Sequence, residues 1–111
     1  MPEQQAELDR VFHALADPTR RQVVERLVTR PASTSELARP FDMALPSFTQ
    51  HLKVLERARL VTSTKSGRVR TYRLAPAALA VADGWLADKR RLWEQRLDQL
   101  DAFLGTLKEQ R

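Results

Sequence analysis

Residues 33–58 read STSELARPFDMALPSFTQHLKVLERA, and two short helices separated by a few residues are written into them. Ser33 and Glu36 stand at the capping-box spacing, in which a hydroxyl and a carboxylate each satisfy a backbone N–H left unpaired by the first helical turn. Leu37 and Ala38 are the apolar residues behind that cap. Pro40 closes the segment, because proline disfavours helical backbone in the residue before it. The spacing predicts a helix over 34–40, with a brief linker from Phe41 to Leu45. Pro46 then suits a helix start, where a missing N–H costs nothing. Phe48, Leu52 and Leu55 recur at i, i+4 and i+7 and form the inner face of a helix over 46–58. Two such helices joined by a short turn make a helix-turn-helix candidate.

The flanks fit around this pair. Ahead of it, Leu8, Val11, Phe12 and Leu15 mark one stripe of an amphipathic helix over 5–16. Asp17-Pro18 reads as a restart, with the carboxylate as N-cap and the proline in the first helical position. Val23, Val24, Leu27 and Val28 are the expected buried face of a helix over 18–30, ended by Arg30-Pro31-Ala32. Behind the pair, Leu60–Thr64 and Val69–Leu74 are rich in β-branched residues, with Lys65-Ser66-Gly67-Arg68 between them. Glycine supplies the positive φ of a tight turn, so a hairpin is expected over 60–74. Tyr72 and Leu74 should face the core, while Arg68 and Arg70, of the same parity, project beyond it near the tip. A basic-tipped hairpin after a helix-turn-helix has the form of a wing. From Pro76 to Lys108 runs one long helix carrying Leu79, Leu86, Trp93, Leu97, Leu100, Leu104 and Leu107. From Trp93 onward the spacing is 4, 3, 4, 3, a seven-residue repeat that seeks a partner helix. Gly84 and Gly105 weaken it locally. The expected fold is mainly α with a small β-hairpin: a winged helix-turn-helix with a C-terminal dimerisation helix, as one domain over 1–111.

Composition narrows the function. A chain of 111 residues suits one domain with a modest core. Cysteine is absent, which excludes disulfides, thiolate metal sites and thiol redox sensing. The sequence has no apolar run near the roughly 20 residues that span a bilayer. Met1-Pro2-Glu3-Gln4-Gln5 also lacks the apolar stretch of a signal peptide. An untargeted cytoplasmic protein with no membrane partner is expected. Between Pro46 and Arg73 lie seven basic residues (Lys53, Arg57, Arg59, Lys65, Arg68, Arg70, Arg73) and one acid, Glu56. That segment carries +6 in a chain of net charge +5, leaving −1 for the remainder. Charge gathered in one module suits a polyanion-binding face, although a solvated basic surface fits the charge alone equally well.

Several motifs in order carry a family resemblance over about residues 8–105. They are Phe12-His13-Ala14-Leu15-Ala16-Asp17-Pro18-Thr19-Arg20-Arg21 in front, then Ser35-Glu36-Leu37-Ala38 and Gln50-His51-Leu52-Lys53-Val54-Leu55, and Gly67-Arg68-Val69-Arg70-Thr71-Tyr72-Arg73-Leu74 in the wing. The chain resembles the ArsR/SmtB family of bacterial winged-helix repressors. The resemblance implies four helices, a hairpin wing and a C-terminal helix, with a homodimer formed through the first and last helices. Leu8, Phe12, Leu86, Trp93, Leu97, Leu100 and Leu104 are then the expected interface residues. The family's metal sensors commonly place cysteines in the third helix, where this chain has Ser35-Glu36-Leu37-Ala38-Arg39, or histidines and carboxylates in the last, which here lacks histidine. The resemblance is therefore to a metal-independent, autorepressor-like branch, with no metal and no cofactor.

In this arrangement the fourth helix enters the major groove of double-stranded DNA, with Ser47, Thr49, Gln50 and Lys53 directed outward. Glutamine reads adenine through two hydrogen bonds, serine and threonine bond to bases or phosphate, and lysine reaches guanine or phosphate. Lys65, Arg68 and Arg70 of the wing would meet the backbone or the adjacent minor groove. For His51 two readings stand: a phosphate donor, by resemblance, or a structural partner beneath the helix. His13 suits a structural or interfacial place, and the two histidines lack a ligand spacing. Trp85 and Trp93 fit packing at a dimer core better than a ligand pocket. A dimer would present two recognition helices one helical turn apart, so the DNA site should be an imperfect palindrome. The sequence has no phosphate loop, nucleophile motif or metal triad of an enzyme. A protein-interaction adaptor and a nonspecific DNA-binding protein could use the same face.

Overall fold

The computed structural model describes residues 3–110. Five helices and three strands follow in the order α1 (Glu3–Leu15), α2 (Pro18–Thr29), β1 (Ala32–Ser33), α3 (Thr34–Ala38), α4 (Leu45–Arg57), β2 (Val61–Ser66), β3 (Val69–Leu74) and α5 (Pro76–Glu109). The caps fall where local chemistry puts them. Asp17 accepts from the Arg20 N–H at 3.0 Å to open α2, with Pro18 behind it. Ser33 and Glu36 exchange both bonds of the capping box to open α3, at 3.2 and 3.1 Å.

β2 and β3 pair antiparallel from Val61 opposite Leu74 to Ser66 opposite Val69, leaving only Gly67 and Arg68 in the turn. Gly67 has φ +62° and Arg68 has no positive φ, the signature of a type II′ hairpin turn. The strands thus run closer to the tip than expected. A further strand was not expected: β1 pairs with β3 through Ala32–Tyr72 and Ser33–Thr71, giving a three-stranded sheet in the order β1-β3-β2. α3 ends at Ala38, short of Pro40.

The core gathers Val11 and Ala14 from α1, Val23 and Leu27 from α2, Leu37, Phe48, Leu52 and Leu55 from the helix pair, and Leu60, Val61 and Tyr72 from the hairpin. Phe48, Leu52 and Leu55 are fully buried, so the expected inner face of α4 holds. Phe41 adds a tilted ring contact to Phe48 at 5.3 Å between centroids. One expected core residue is misplaced: Val28 is 71% exposed, because α2 turns only Val23, Val24 and Leu27 toward the other elements. α5 buries only Ala78 and Ala82 in its first turns, where α1 packs against it.

Candidate nucleic-acid interface

With Phe48, Leu52 and Leu55 buried, the helical period forces Ser47, Gln50 and Lys53 to the opposite side of α4, and all three are exposed. Arg57 continues that row one turn beyond Lys53 and is also exposed; sequence reading counted its charge but did not place it at the site. The i, i+3, i+7 spacing from Gln50 was the available signal. Thr49 differs from expectation: it is half-buried and its hydroxyl donates to the Leu45 carbonyl at 2.9 Å, so its proton is used within the helix. α4 starts at Ala44 without a side-chain cap. It ends in a Schellman motif, with Arg59 N–H donating to the Glu56 carbonyl at 2.9 Å and Leu60 N–H to the Leu55 carbonyl at 3.1 Å. Arg59 occupies the left-handed position, at φ +60°, where glycine is the usual residue.

His51 sits at the flank of this row, bound from behind by a buried arginine. Arg20 donates Nε to the Ala14 carbonyl at 2.7 Å and Nη2 to the His13 carbonyl at 3.0 Å, closing the last turn of α1. Its Nη1 lies 3.0 Å from His51 Nδ1. Arg21 closes the same helix end through the Leu15 carbonyl at 2.8 Å. The Asp17 carboxylate lies 3.7 Å from His51 Nδ1. Burial pushes the Asp17 carboxyl up. The N–H bonds from Arg20 and Thr19 and the charge of Arg20 outweigh that and hold it below its ordinary value. His13 is exposed on α1, and among the described residues no three His, Asp or Glu side chains cluster as metal ligands.

The wing is bolted to α4. Ser63 donates to the Glu56 carboxylate at 3.2 Å, and Arg70 Nη1 donates to the Ser63 hydroxyl at 2.9 Å. Arg70 therefore leans back across the hairpin instead of projecting from its tip, although it stays exposed. Arg68 is exposed in the turn itself. Lys65 stands directly opposite Arg70, a like-charged cross-strand pair that costs folding energy unless an anion lies over it. Beneath, the buried Tyr72 hydroxyl faces Thr34 and Glu56; burial, then the Glu56 charge, pushes its pKa up. Among the described residues no carboxylate comes within ion-pair distance of Lys53, Arg57, Lys65 or Arg68.

The residues expected at a dimer interface fall into two groups. Leu8 is half-buried against the core, and Phe12 stacks edge-to-face on Trp85 at 5.6 Å. Lys89 Nζ also lies over that tryptophan ring, at 5.2 Å from its centroid. Leu86, Trp93, Leu97, Leu100 and Leu104 are exposed, Trp93 by 71%. Leu92 and Phe103 widen the same stripe and were not singled out from the sequence. The α1 end of the α1–α5 contact lies beside Asp88, so α5 continues past the body of the molecule for about 30 Å at 1.5 Å per residue.

A family model described as a helix-turn-helix domain matches residues 15–64. The HTH-type transcriptional regulator Rv2034 of Mycobacterium tuberculosis (strain ATCC 25618 / H37Rv) is 45% identical over 89 residues, 80% of this chain and 80% of that protein. The transcriptional repressor SdpR of Bacillus subtilis (strain 168) is 28% identical over 79 residues, 71% of this chain and 88% of its own length. Among solved structures, the ArsR family transcriptional regulator RHA00566 superposes with a TM-score of 0.80 at 47% identity, covering 85% of this chain and 97% of that one. On these similarities the chain, with its helix-turn-helix, wing and long last helix, belongs to the ArsR family of winged helix-turn-helix transcriptional regulators.

Proposed function

We propose that this protein is a cytoplasmic transcriptional repressor, a single winged-helix unit that binds a specific DNA sequence as a homodimer. Repression follows from occlusion: a dimer seated on its operator excludes polymerase from the same DNA. The observation that carries the reading is the set of exposed cations on α4 and the wing without carboxylate partners among the described residues, beside an exposed glutamine. Such a surface costs energy in the free protein and is offset by phosphates. Ser47, Gln50 and Lys53 face the major groove, Thr49 offers a hydroxyl oxygen as acceptor, and His51, Lys65, Arg68 and Arg70 serve the backbone. The uncapped start of α4 leaves N–H groups for a phosphate as well.

The homodimer forms through α1 and α5, with Leu8, Phe12, Leu86, Trp93, Leu97, Leu100 and Leu104 in its interface. The exposed stripe supports this, since a soluble monomer rarely leaves so long an apolar face open. Two recognition helices related by a two-fold axis call for an imperfect palindrome. Binding needs neither metal nor thiol chemistry: α3 carries Ser35-Glu36-Leu37-Ala38 and the chain has no cysteine. Fluorescence anisotropy against DNA from upstream of the protein's own gene, with chelator present and a scrambled duplex as control, tests the reading. A preference of about a thousandfold that chelator leaves unchanged is the expected result. Equal affinity for both duplexes contradicts autoregulation, and binding abolished by chelator contradicts metal independence.

A further inference from the structure

The contact between Arg20 and His51 assigns the histidine one protonation state. A guanidinium nitrogen only donates, so the ring nitrogen 3.0 Å from Arg20 Nη1 must accept. Nδ1 of His51 therefore carries the lone pair, and the proton of the neutral ring sits on Nε2. Among the described residues no group pairs with Nε2 and no buried side-chain nitrogen lacks a partner. Nε2–H thus opens to solvent on α4, one turn after the exposed Ser47. The charged groups facing the ring are Arg20 on α2 and Asp17 just ahead of it, both on the Nδ1 side. Arg20 is fixed in turn by the Ala14 and His13 carbonyls, so it cannot swing away to free Nδ1.

We propose that Arg20 is a positioning residue for DNA binding: it occupies Nδ1 and holds His51 as a neutral ring whose Nε2–H donates to a DNA phosphate oxygen. The same guanidinium closes the last turn of α1, so one side chain bonds that helix and the recognition helix together. The proposal rests on the DNA-binding reading above and deepens it.

Two near-isosteric replacements separate the functions of the two ring nitrogens. The glutamine amide reaches the place of Nε2, whereas the asparagine amide stops at the place of Nδ1. The experiment measures affinity for an operator selected with the wild type, using the wild type, His51→Gln, His51→Asn and Arg20→Lys, and records the ring 15N shifts of His51 in free protein. The wild type should show the Nε2–H signature. His51→Gln should bind within about threefold of wild type, and His51→Asn about tenfold more weakly, the effect of one lost hydrogen bond to a charged group. Neither should change the salt slope, because a neutral donor releases no counterion. Arg20→Lys keeps its charge yet should mix the ring tautomers and weaken binding. An Nδ1–H ring in the wild type, or wild-type affinity in His51→Asn, overturns the proposal alone. A wild type that selects no sequence overturns the DNA-binding reading together with it.

Discussion

Gln50 and Lys53 lie on the same exposed row of α4 yet should fail in different ways when truncated. Gln50→Ala removes a side chain able to make two bonds to one base, so it should relax preference at one operator position by about 1–3 kcal/mol and leave other duplexes little changed. Lys53→Ala should weaken binding to every duplex alike and lower the salt slope by about one per protomer. Competition titrations over single-base operator variants at several salt concentrations distinguish the two. Asp17 makes a stability prediction of its own. Its folded carboxyl lies below the ordinary value of 3.8, so its contribution is complete above 3.8 and is lost as pH falls through the folded value. Asp17→Ala should cost about 1 kcal/mol at neutral pH through loss of the cap. Asp17→Asn should keep the cap but lose less stability than wild type below that pH, which urea midpoints across acid pH would measure. Asp17 as N-cap was legible because a cap is a local device. The Arg20–His51 contact was not, because it joins residues 31 apart and each of them is unremarkable in its own window.

Elements were legible in proportion to how locally they are specified. α3 and α4 follow from a capping box, a proline and an apolar period, all within their own residues. β1 is two residues long and exists only because Tyr72 and Thr71 of β3 come beside it from forty residues away, so no local pattern announced it. The end of α4 fell within a residue of expectation, but its cap was not legible: a Schellman motif is usually flagged by glycine, and here its left-handed position holds Arg59. Arg59→Gly should relieve that backbone and raise stability by about 1 kcal/mol, read as a higher urea midpoint with an unchanged slope. A lower midpoint would mean that the arginine side chain contributes more than the backbone costs. The wing shows how side chains couple elements: Arg70, Ser63 and Glu56 tie the hairpin to the recognition helix. The alternation of β3 places Arg70 on the Tyr72 face but says nothing of which neighbour it meets.

At the scale of the whole molecule, the departure from compactness is α5, which stretches the protein to 75 Å with an apolar stripe along its overhang. The seven-residue repeat in the sequence identified the stripe; its partner cannot be read from one chain, because packing across a two-fold axis leaves no trace in a single protomer. Leu100 is exposed and outside the core, so Leu100→Asp should leave the melting of the winged-helix body intact while shifting the protein to monomer in sedimentation velocity. DNA affinity should fall with it, since each monomer holds one half-site. An unchanged dimer would place the interface elsewhere. The central claim, sequence-specific DNA binding by a two-fold dimer, is tested most directly by selecting bound duplexes from a random-sequence pool in the presence of chelator. The account predicts enrichment of one imperfect palindrome with half-sites about one helical turn apart. A pool that emerges unenriched, although the protein retains DNA in bulk, would contradict it.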